Sequence, residues 1–419
     1  MRNIRYCLTR MSFLVMGLRI EKWRKQVETF WNLGTEERKS ILENILRTHS
    51  PLNASGEPVT SLGELQLSPI LTKKSYRTLA RASGVRSRYN RKTSGTTGEP
   101  TKVSLSKEEL SLMLGVRDYC FRHYGVRLGY REARFWGREA QGLKSKFRNL
   151  ALNRKVCFPM GEDAVHSVAK TLSWKPDYLY GYASLLLEAA ALVEKHSINF
   201  TPPKCVICTA ETVMPVQKEY LKKVFKAPVA EEYGATEFDV IAFECKGGHR
   251  HLVNPWLVVK NTDQDILVSD IFRKSANLVN YELGDSGELE VVKCDLLGDS
   301  QYIKFLEGRS ISRFVYSDCN NRFHAVDLAY AINEYQRIEN EIFNFRIVQF
   351  EYGAIDIYVS TELESSTESL KNHIEEYILR KTGQSLVVNI LCETVPKYFT
   401  EKSYFIQRIR MPLNSVTST

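Results

Sequence analysis

The sequence predicts an α/β protein with a large N-terminal nucleotide- and substrate-binding domain over residues 1–307 and a small, mobile α+β domain over 308–419. Three observations lead there. A chain of 419 residues is long for one domain, and 43% hydrophobic with 26% charged residues is ordinary globular usage that excludes a low-complexity or disordered protein. From residue 204 onwards short apolar runs alternate with helical ones, the rhythm of an α/β sheet. Near Gly308-Arg309 the pattern changes to a compact ββαβ unit.

Taken in order, the chain opens with Arg2, Arg5 and Arg10 before an apolar run from Met11 to Leu18. The run is about half the length that crosses a bilayer, and no small-x-small cleavage site follows. Trp23, Arg24 and Lys25 continue an amphipathic helical pattern, which points to a cytoplasmic protein with peripheral membrane contact as the alternative. Thr35 to Arg47 reads as a helix. Between Glu64 and Glu99 no acid occurs, and Lys73, Arg77, Arg81, Arg86, Arg88, Arg91 and Lys92 form either a solvated basic face or an anion-facing one. Elsewhere the formal charge of +9 is spread out, which argues against a nucleic-acid partner.

Ser106 and Glu109 form a capping box for a helix carrying Leu110, Leu112, Met113 and Val116 towards Tyr124, and a further helix is expected from Ser184 to His196. Strands follow at Cys205–Thr209 and Val229–Tyr233 around a helix near Gln217–Phe225. Ile266–Ser269 and Leu289–Val292 are expected to extend the same sheet. In the second domain the strands are 345–350, 355–359 and 387–391, with a helix from about Ser366 to Arg380. Nine scattered cysteines make no disulfide framework, and Cys205 and Cys208 sit in an apolar strand as core residues.

The strongest local signal is Thr93-Ser94-Gly95-Thr96-Thr97-Gly98-Glu99-Pro100-Thr101-Lys102. Its hydroxyls and glycines let backbone N–H groups turn onto a phosphate, and Lys102 adds a charge; the alternative is a plain surface turn. No Gly-Lys-Ser/Thr closes it as a Walker A loop would.

This string resembles the phosphate-binding motif of the adenylate-forming (AMP-binding) superfamily of acyl- and aryl-CoA ligases, and further motifs follow in the family's order. Tyr233-Gly234-Ala235-Thr236-Glu237 is similar to the second motif, in which the Tyr packs on adenine, the Thr contacts the α-phosphate and the Glu holds Mg²⁺. Tyr281-Glu-Leu-Gly284-Asp285 resembles the ribose-binding motif, with Asp285 as its carboxylate. Gly308-Arg309 resembles the interdomain hinge. Pro396 precedes Lys402 as a proline precedes the family's catalytic lysine, whose charge stabilises the adenylation transition state.

Phe135-Trp136-Gly137, Lys175 to Ser184 and Thr209-Ala210-Glu211 are similar to the phenylacetate-CoA ligase-like group, especially its CapK-like members of capsular polysaccharide biosynthesis. The resemblance implies ATP, Mg²⁺ and coenzyme A, with a small carboxylic acid and an acyl acceptor as substrates. An amine or sugar hydroxyl is the alternative acceptor, and a scaffold without turnover is the alternative from another class. The chain departs from the family at Asn280, where a basic residue is usual, at Ser310 to Ser312 after the hinge, and at Glu401 in place of glycine. Trp136, Tyr180 and Tyr182 either line an aromatic pocket or fill the core. Cys245, His249, His251 and Cys294 offer soft donors for a structural zinc, against a reading as core cysteine and surface histidine.

Overall fold

The computed structural model describes residues 2–82, 89–92, 102–136, 142–159, 163–211, 213–262, 265–294, 297–309, 314–339, 341, 343, 345–359, 363, 366–392 and 405–407. Two compact units emerge: Met1–Thr212 with Leu221–Leu306, and Val213–Tyr220 with Glu307–Thr419.

The larger unit begins with helices α1 (Arg2–Val15), α2 (Ile20–Trp31), α3 (Thr35–His49), α4 (Leu62–Leu67) and α5 (Lys73–Ala82), followed by the strand pair β1 (Tyr89–Lys92) and β2 (Lys102–Leu105). Helix α6 (Lys107–Arg122) starts at the expected capping box: the Ser106 hydroxyl accepts from the Glu109 N–H at 3.2 Å, and the Glu109 carboxylate accepts from the Ser106 N–H at 2.7 Å. α2 crosses α6 at Gly115, where a Cβ would come within 2.6 Å of the Trp23 Cβ and 2.9 Å of the Arg24 nitrogen. That approach lets Trp23 and Val27 pack with Leu112, Val116 and Tyr119 in one buried cluster.

Next come β3 (Glu132–Phe135), α7 (Leu143–Ala151), β4 (Arg154–Cys157), α8 (Ala164–Ser173), β5 (Tyr178–Tyr182), α9 (Ala183–Lys195), β6 (Cys205–Thr209), α10 (Pro215–Phe225), which up to Tyr220 belongs to the smaller unit, and β7 (Val229–Ala235). After them the chain is mostly strand: β8 (Asp239–Glu244), β9 (Arg250–Leu252), β10 (Leu257–Asn261), β11 (Ile266–Asp270), β12 (Leu278–Glu282), β13 (Asp285–Cys294) and β14 (Gly298–Arg309). The large sheet runs β13-β14-β9-β8-β7-β6-β5-β3-β4, parallel from β4 to β7 and antiparallel through β8 and β9. β5 and β6 are buried along their whole length, as central parallel strands are, and Cys205 and Cys208 are core residues.

One expectation is corrected. Ile266–Ser269 lies in β11 of a separate three-stranded antiparallel sheet, β10-β11-β12, whereas Leu289–Val292 lies in β13 of the large sheet. An apolar run records that a strand is buried and does not name its neighbour. The Thr262 N–H donates to the Asp265 carbonyl, and β11 pairs antiparallel with β10 from there instead.

The smaller unit contains β15 (Phe314–Tyr316), β16 (Arg322–His324), α11 (Val326–Ile338), β17 (Phe345–Glu351), β18 (Ala354–Val359), α12 (Thr367–Thr382), β19 (Val387–Leu391) and β20 (Phe405–Gln407). The expected ββαβ unit is β17, β18, α12 and β19, in a sheet ordered β19-β18-β17-β20. α12 begins at Ser366, whose hydroxyl accepts from Glu368, and ends at Gly383 with φ of 70°. Its Leu370, Ile374 and Ile378, spaced four apart, join Ile347, Ile357 and Val388 of the sheet in the core.

A buried ionic cluster ties β3, β4 and β5 together. The Glu132 carboxylate accepts from the Tyr178 hydroxyl at 2.9 Å and from Arg134 at 2.5 Å, and it pairs with Arg154 at 2.8 Å. Burial opposes its ionisation, but Arg134 and Arg154 outweigh burial and hold it down at about 2. A depressed carboxyl contributes stability that is present above its unfolded value near 4.5 and is lost as pH falls towards about 2. Acid titration of unfolding should therefore show a loss on the order of 3 kcal/mol over that window. Glu132→Gln should flatten this loss, and an unchanged acid limb would contradict the assignment.

Candidate nucleotide and acyl site

β1 and β2 pair antiparallel with Lys92 opposite Lys102, so the loop carrying Ser94, Gly95, Thr96, Thr97 and Gly98 connects the strands of a hairpin. That loop lies outside the described residues, as do Gly137, Ser310 to Ser312, Pro396, Glu401 and Lys402. Lys102 is exposed at the start of β2, and the Arg309 backbone closes β14.

The second and third motifs are locked to each other. β7 carries Tyr233, whose hydroxyl donates to Asp285 at the start of β13 at 3.0 Å. The other two ends of the motifs pair in the opposite sense: the Tyr281 hydroxyl donates to the Glu237 carboxylate at 2.8 Å. Burial, and then the Glu237 charge, pushes the Tyr281 hydroxyl above its usual range, so it stays a donor. Buried Arg273 adds a 2.6 Å hydrogen bond to the Glu237 carbonyl. Thr236 is half-buried on the turn between β7 and β8, and Gly234 is required there because a Cβ would lie 2.0 Å from the Asp239 carbonyl oxygen.

Strand alternation gives β7 two working faces. Tyr233 points towards Tyr281, Phe238 and Ile241, while Glu232 points the other way, towards α6. There the buried Arg117 guanidinium sits 3.1 Å from Glu232 and 2.9 Å from Asp239, and it donates to the Tyr180 hydroxyl at 2.9 Å. Tyr180 and Thr209 in turn donate to Glu232, at 2.8 and 3.2 Å, and Arg91 of β1 reaches Asp239 at 3.2 Å. Burial pushes the Glu232 carboxyl up, with Arg117 opposing. Burial likewise opposes ionisation of Asp239, but Arg117 and Arg91 prevail and hold it down. Over this network lie the aromatics: Trp136 is parallel to Tyr180 at 6.2 Å and 4.0 Å from Tyr182, and Arg134 sits 4.5 Å above the Tyr180 ring.

Sequence reasoning missed Arg117, Glu232 and Asp239, and Arg91, expected on a solvated or anion-facing basic face, pairs with Asp239 instead. The available signal was a lone arginine between Val116 and Cys120 on an otherwise apolar helix face, together with an acid directly before the Tyr233 motif. Two of the branch motifs meet directly, since the Glu211 carboxylate accepts from the Ser184 N–H at 2.8 Å and its hydroxyl at 3.0 Å. This places a negative charge on the first turn of α9, where the helix dipole favours it.

Asn280 has a different role from the one its place in the motif suggests. It is fully buried with φ of 48°, and its amide donates to the Leu65 and Ser68 carbonyls at 3.0 and 2.6 Å. Its N–H donates to the Ser269 hydroxyl at 2.8 Å. A basic side chain here would bury a charge among groups that Asn280 satisfies, so Asn280 fastens β12 to α4 and β11.

A second cluster forms where β8, β9 and β13 end. Cys245 and Cys294 place their sulfurs 3.9 Å apart, and one donor atom each from Cys245, His251 and Cys294 lies within 4.8 Å of the others. His251 Nδ1 is 3.0 Å from the Ser300 hydroxyl, while its buried Nε2 has no hydrogen-bond partner. His249 Nδ1 stands 4.0 Å from the Cys245 sulfur.

Among known proteins, the fold is that of the adenylate-forming CoA ligases. A 2-hydroxyisobutyryl-CoA ligase in the postadenylation state with 2-HIB-AMP superposes with a TM-score of 0.70 over 90% of both chains, at 13% identity. An anthranilate CoA ligase in complex with anthranoyl-AMP gives 0.50 over 74% of this chain and 64% of that one, at 14% identity. In sequence, the chain is similar to protein CapK of Staphylococcus aureus, 23% identical over 381 residues that cover 84% of this chain and 80% of the relative. No family model matches.

Proposed function

We propose that the protein activates a carboxylic acid with ATP and passes the acyl group to an acceptor, most simply the thiol of coenzyme A. The observation that carries this reading is the reciprocal lock between Tyr233–Asp285 and Tyr281–Glu237. It orients two carboxylates, one suited to paired hydroxyls and one to a hard cation, on the fold of adenylate-forming ligases. In the first step a carboxylate oxygen attacks the α-phosphorus, the bond to the bridging oxygen breaks, and pyrophosphate leaves. In the second a thiolate attacks the acyl carbon and AMP departs with the bonding pair.

In this reading the 94–98 loop and Lys102 hold phosphates, Tyr233 lies beside the adenine, Thr236 contacts the α-phosphate and Asp285 takes the ribose hydroxyls. Arg309 serves the hinge. Glu237 holds Mg²⁺, which offsets phosphate charge. Trp136, Tyr180 and Tyr182 border the acid, and Arg117 holds Glu232 and Asp239 in place beneath them. The similarity to CapK extends the reading to surface polysaccharide biosynthesis, where an amine or hydroxyl of a sugar precursor is the competing acceptor. Supplying coenzyme A or amines to a preformed acyl-adenylate separates the two.

Asp285→Ala should weaken ATP binding at least about tenfold, because alanine replaces neither of two charge-assisted hydrogen bonds to the ribose. Calorimetry showing equal affinity for the variant and the wild type would remove the ribose assignment.

We further propose that Cys245, His251 and Cys294 hold a structural zinc, with His249 as fourth donor. Two thiolates at about 2.3 Å from a tetrahedral zinc stand about 3.8 Å apart, close to the 3.9 Å found. His251 fits as well. With the Ser300 proton directed at the Gly298 carbonyl, Nδ1–H donates to Ser300 and the unpartnered Nε2 presents its lone pair. Elemental analysis should find about one zinc per chain, lost with Cys245→Ser and Cys294→Ser together. Protein purified from zinc-supplemented medium that is metal-free and whose melting ignores a chelator would refute this.

A further inference from the structure

Helix α1 buries the wrong side for an ordinary surface helix. Thr9 and Phe13 are buried, and Tyr6 packs edge-on against Tyr130 at 5.1 Å, so this side is fastened to the larger unit. The opposite side is apolar over its whole length: Ile4, Leu8, Met11 and Val15 are 65, 52, 59 and 87% exposed. Their spacing of four, three and four residues places them on one stripe. Helix α7 carries Phe147 and Leu150, exposed at 73 and 58%, and the Arg5 guanidinium of α1 donates to the Leu150 carbonyl, which brings the end of α7 to α1.

Along the two segments that carry the patch the charges have one sign. No acid occurs from residue 2 to 20 or from 140 to 161. Arg5 and Lys146 border the apolar side chains, while Arg10 is already paired with Glu21 at 3.2 Å. At 14 residues α1 is about 21 Å long, shorter than a hydrocarbon core, and among the described residues no helix is long and apolar enough to cross a membrane. An apolar stripe rimmed by basic residues on a short helix matches the interface of an anionic bilayer, where the side chains enter the acyl boundary and the cations meet headgroup phosphates.

We propose that α1 and α7 together form a docking surface for anionic membranes, on which the protein lies peripherally. The full chain should sediment with phosphatidylcholine vesicles containing about a third phosphatidylglycerol and leave them as salt is raised. Leu8→Glu with Met11→Glu, and separately Phe147→Glu, should each lower vesicle affinity at least about tenfold, since a carboxylate at the stripe meets both the apolar boundary and like charge. Circular dichroism and ATP affinity report that the fold is kept, these residues lying outside the nucleotide motifs. Equal binding of wild type and variants, or no preference over pure phosphatidylcholine, would overturn the proposal. So would a concentration-dependent dimer that the same variants dissolve in protein showing no vesicle binding, because the stripe would then be covered by a second copy.

Discussion

Lys402→Ala should lower the adenylation rate by on the order of a hundredfold or more while changing ATP affinity little. In the proposed function Lys402 is the lysine that acts on charge building as the carboxylate attacks phosphorus, while Tyr233, Asp285 and the phosphate-binding motif hold ground-state nucleotide, so kcat and binding are expected to separate. Glu401 sharpens the test. If its carboxylate neutralises the neighbouring lysine, Glu401→Gly raises the rate; if it is solvated, the rate stays put. Single-turnover formation of acyl-adenylate reads both variants. A tenfold or greater loss of ATP affinity in Lys402→Ala would show that the lysine serves binding instead.

Arg117→Met should cost about 3–5 kcal/mol, because it leaves Glu232 and Asp239 facing each other in the interior without their shared cation. The sign with pH follows from Glu232: burial already pushes its carboxyl up, and losing Arg117 pushes it further, so it folds best protonated and the variant loses stability as pH rises towards neutral, while Asp239 keeps Arg91. Adding Glu232→Gln and Asp239→Asn should recover much of the loss, since neutral amides need no counter-ion. Urea unfolding at neutral and mildly acidic pH measures all of this. An Arg117→Met protein as stable as wild type at neutral pH would mean that the network carries no net energy.

The two locked motifs were legible because their residue types carry the chemistry: in each a tyrosine is followed four residues on by an acid, with a glycine between them. That they bond to one another was not legible, since Tyr233 and Asp285 are 52 positions apart and lie on strands with three others between them in the large sheet. Arg117 was hidden for a different reason. A single cation in an amphipathic pattern reads as a solvated position, and nothing local says that two acids on neighbouring strands, Glu232 of β7 and Asp239 of β8, await it. Asn280 shows the converse error, in which a departure from a family pattern suggests a missing charge. A left-handed backbone and two carbonyls within reach make Asn the fitting residue. In the small unit β17, β18, α12 and β19 followed from periodicity, whereas α11 and the three-residue strands β15, β16 and β20 are too short or too weakly patterned to declare themselves.

Acid-dependent release of pyrophosphate from ATP tests the central claim most directly. Wild-type protein with Mg²⁺ and a panel of aliphatic, aromatic and hydroxy acids should release pyrophosphate and form AMP with at least one acid, and should exchange labelled pyrophosphate into ATP in the absence of acceptor. Protein that binds ATP yet releases none with any acid, or that yields ADP and phosphate instead, would contradict adenylation and leave a nucleotide-binding scaffold.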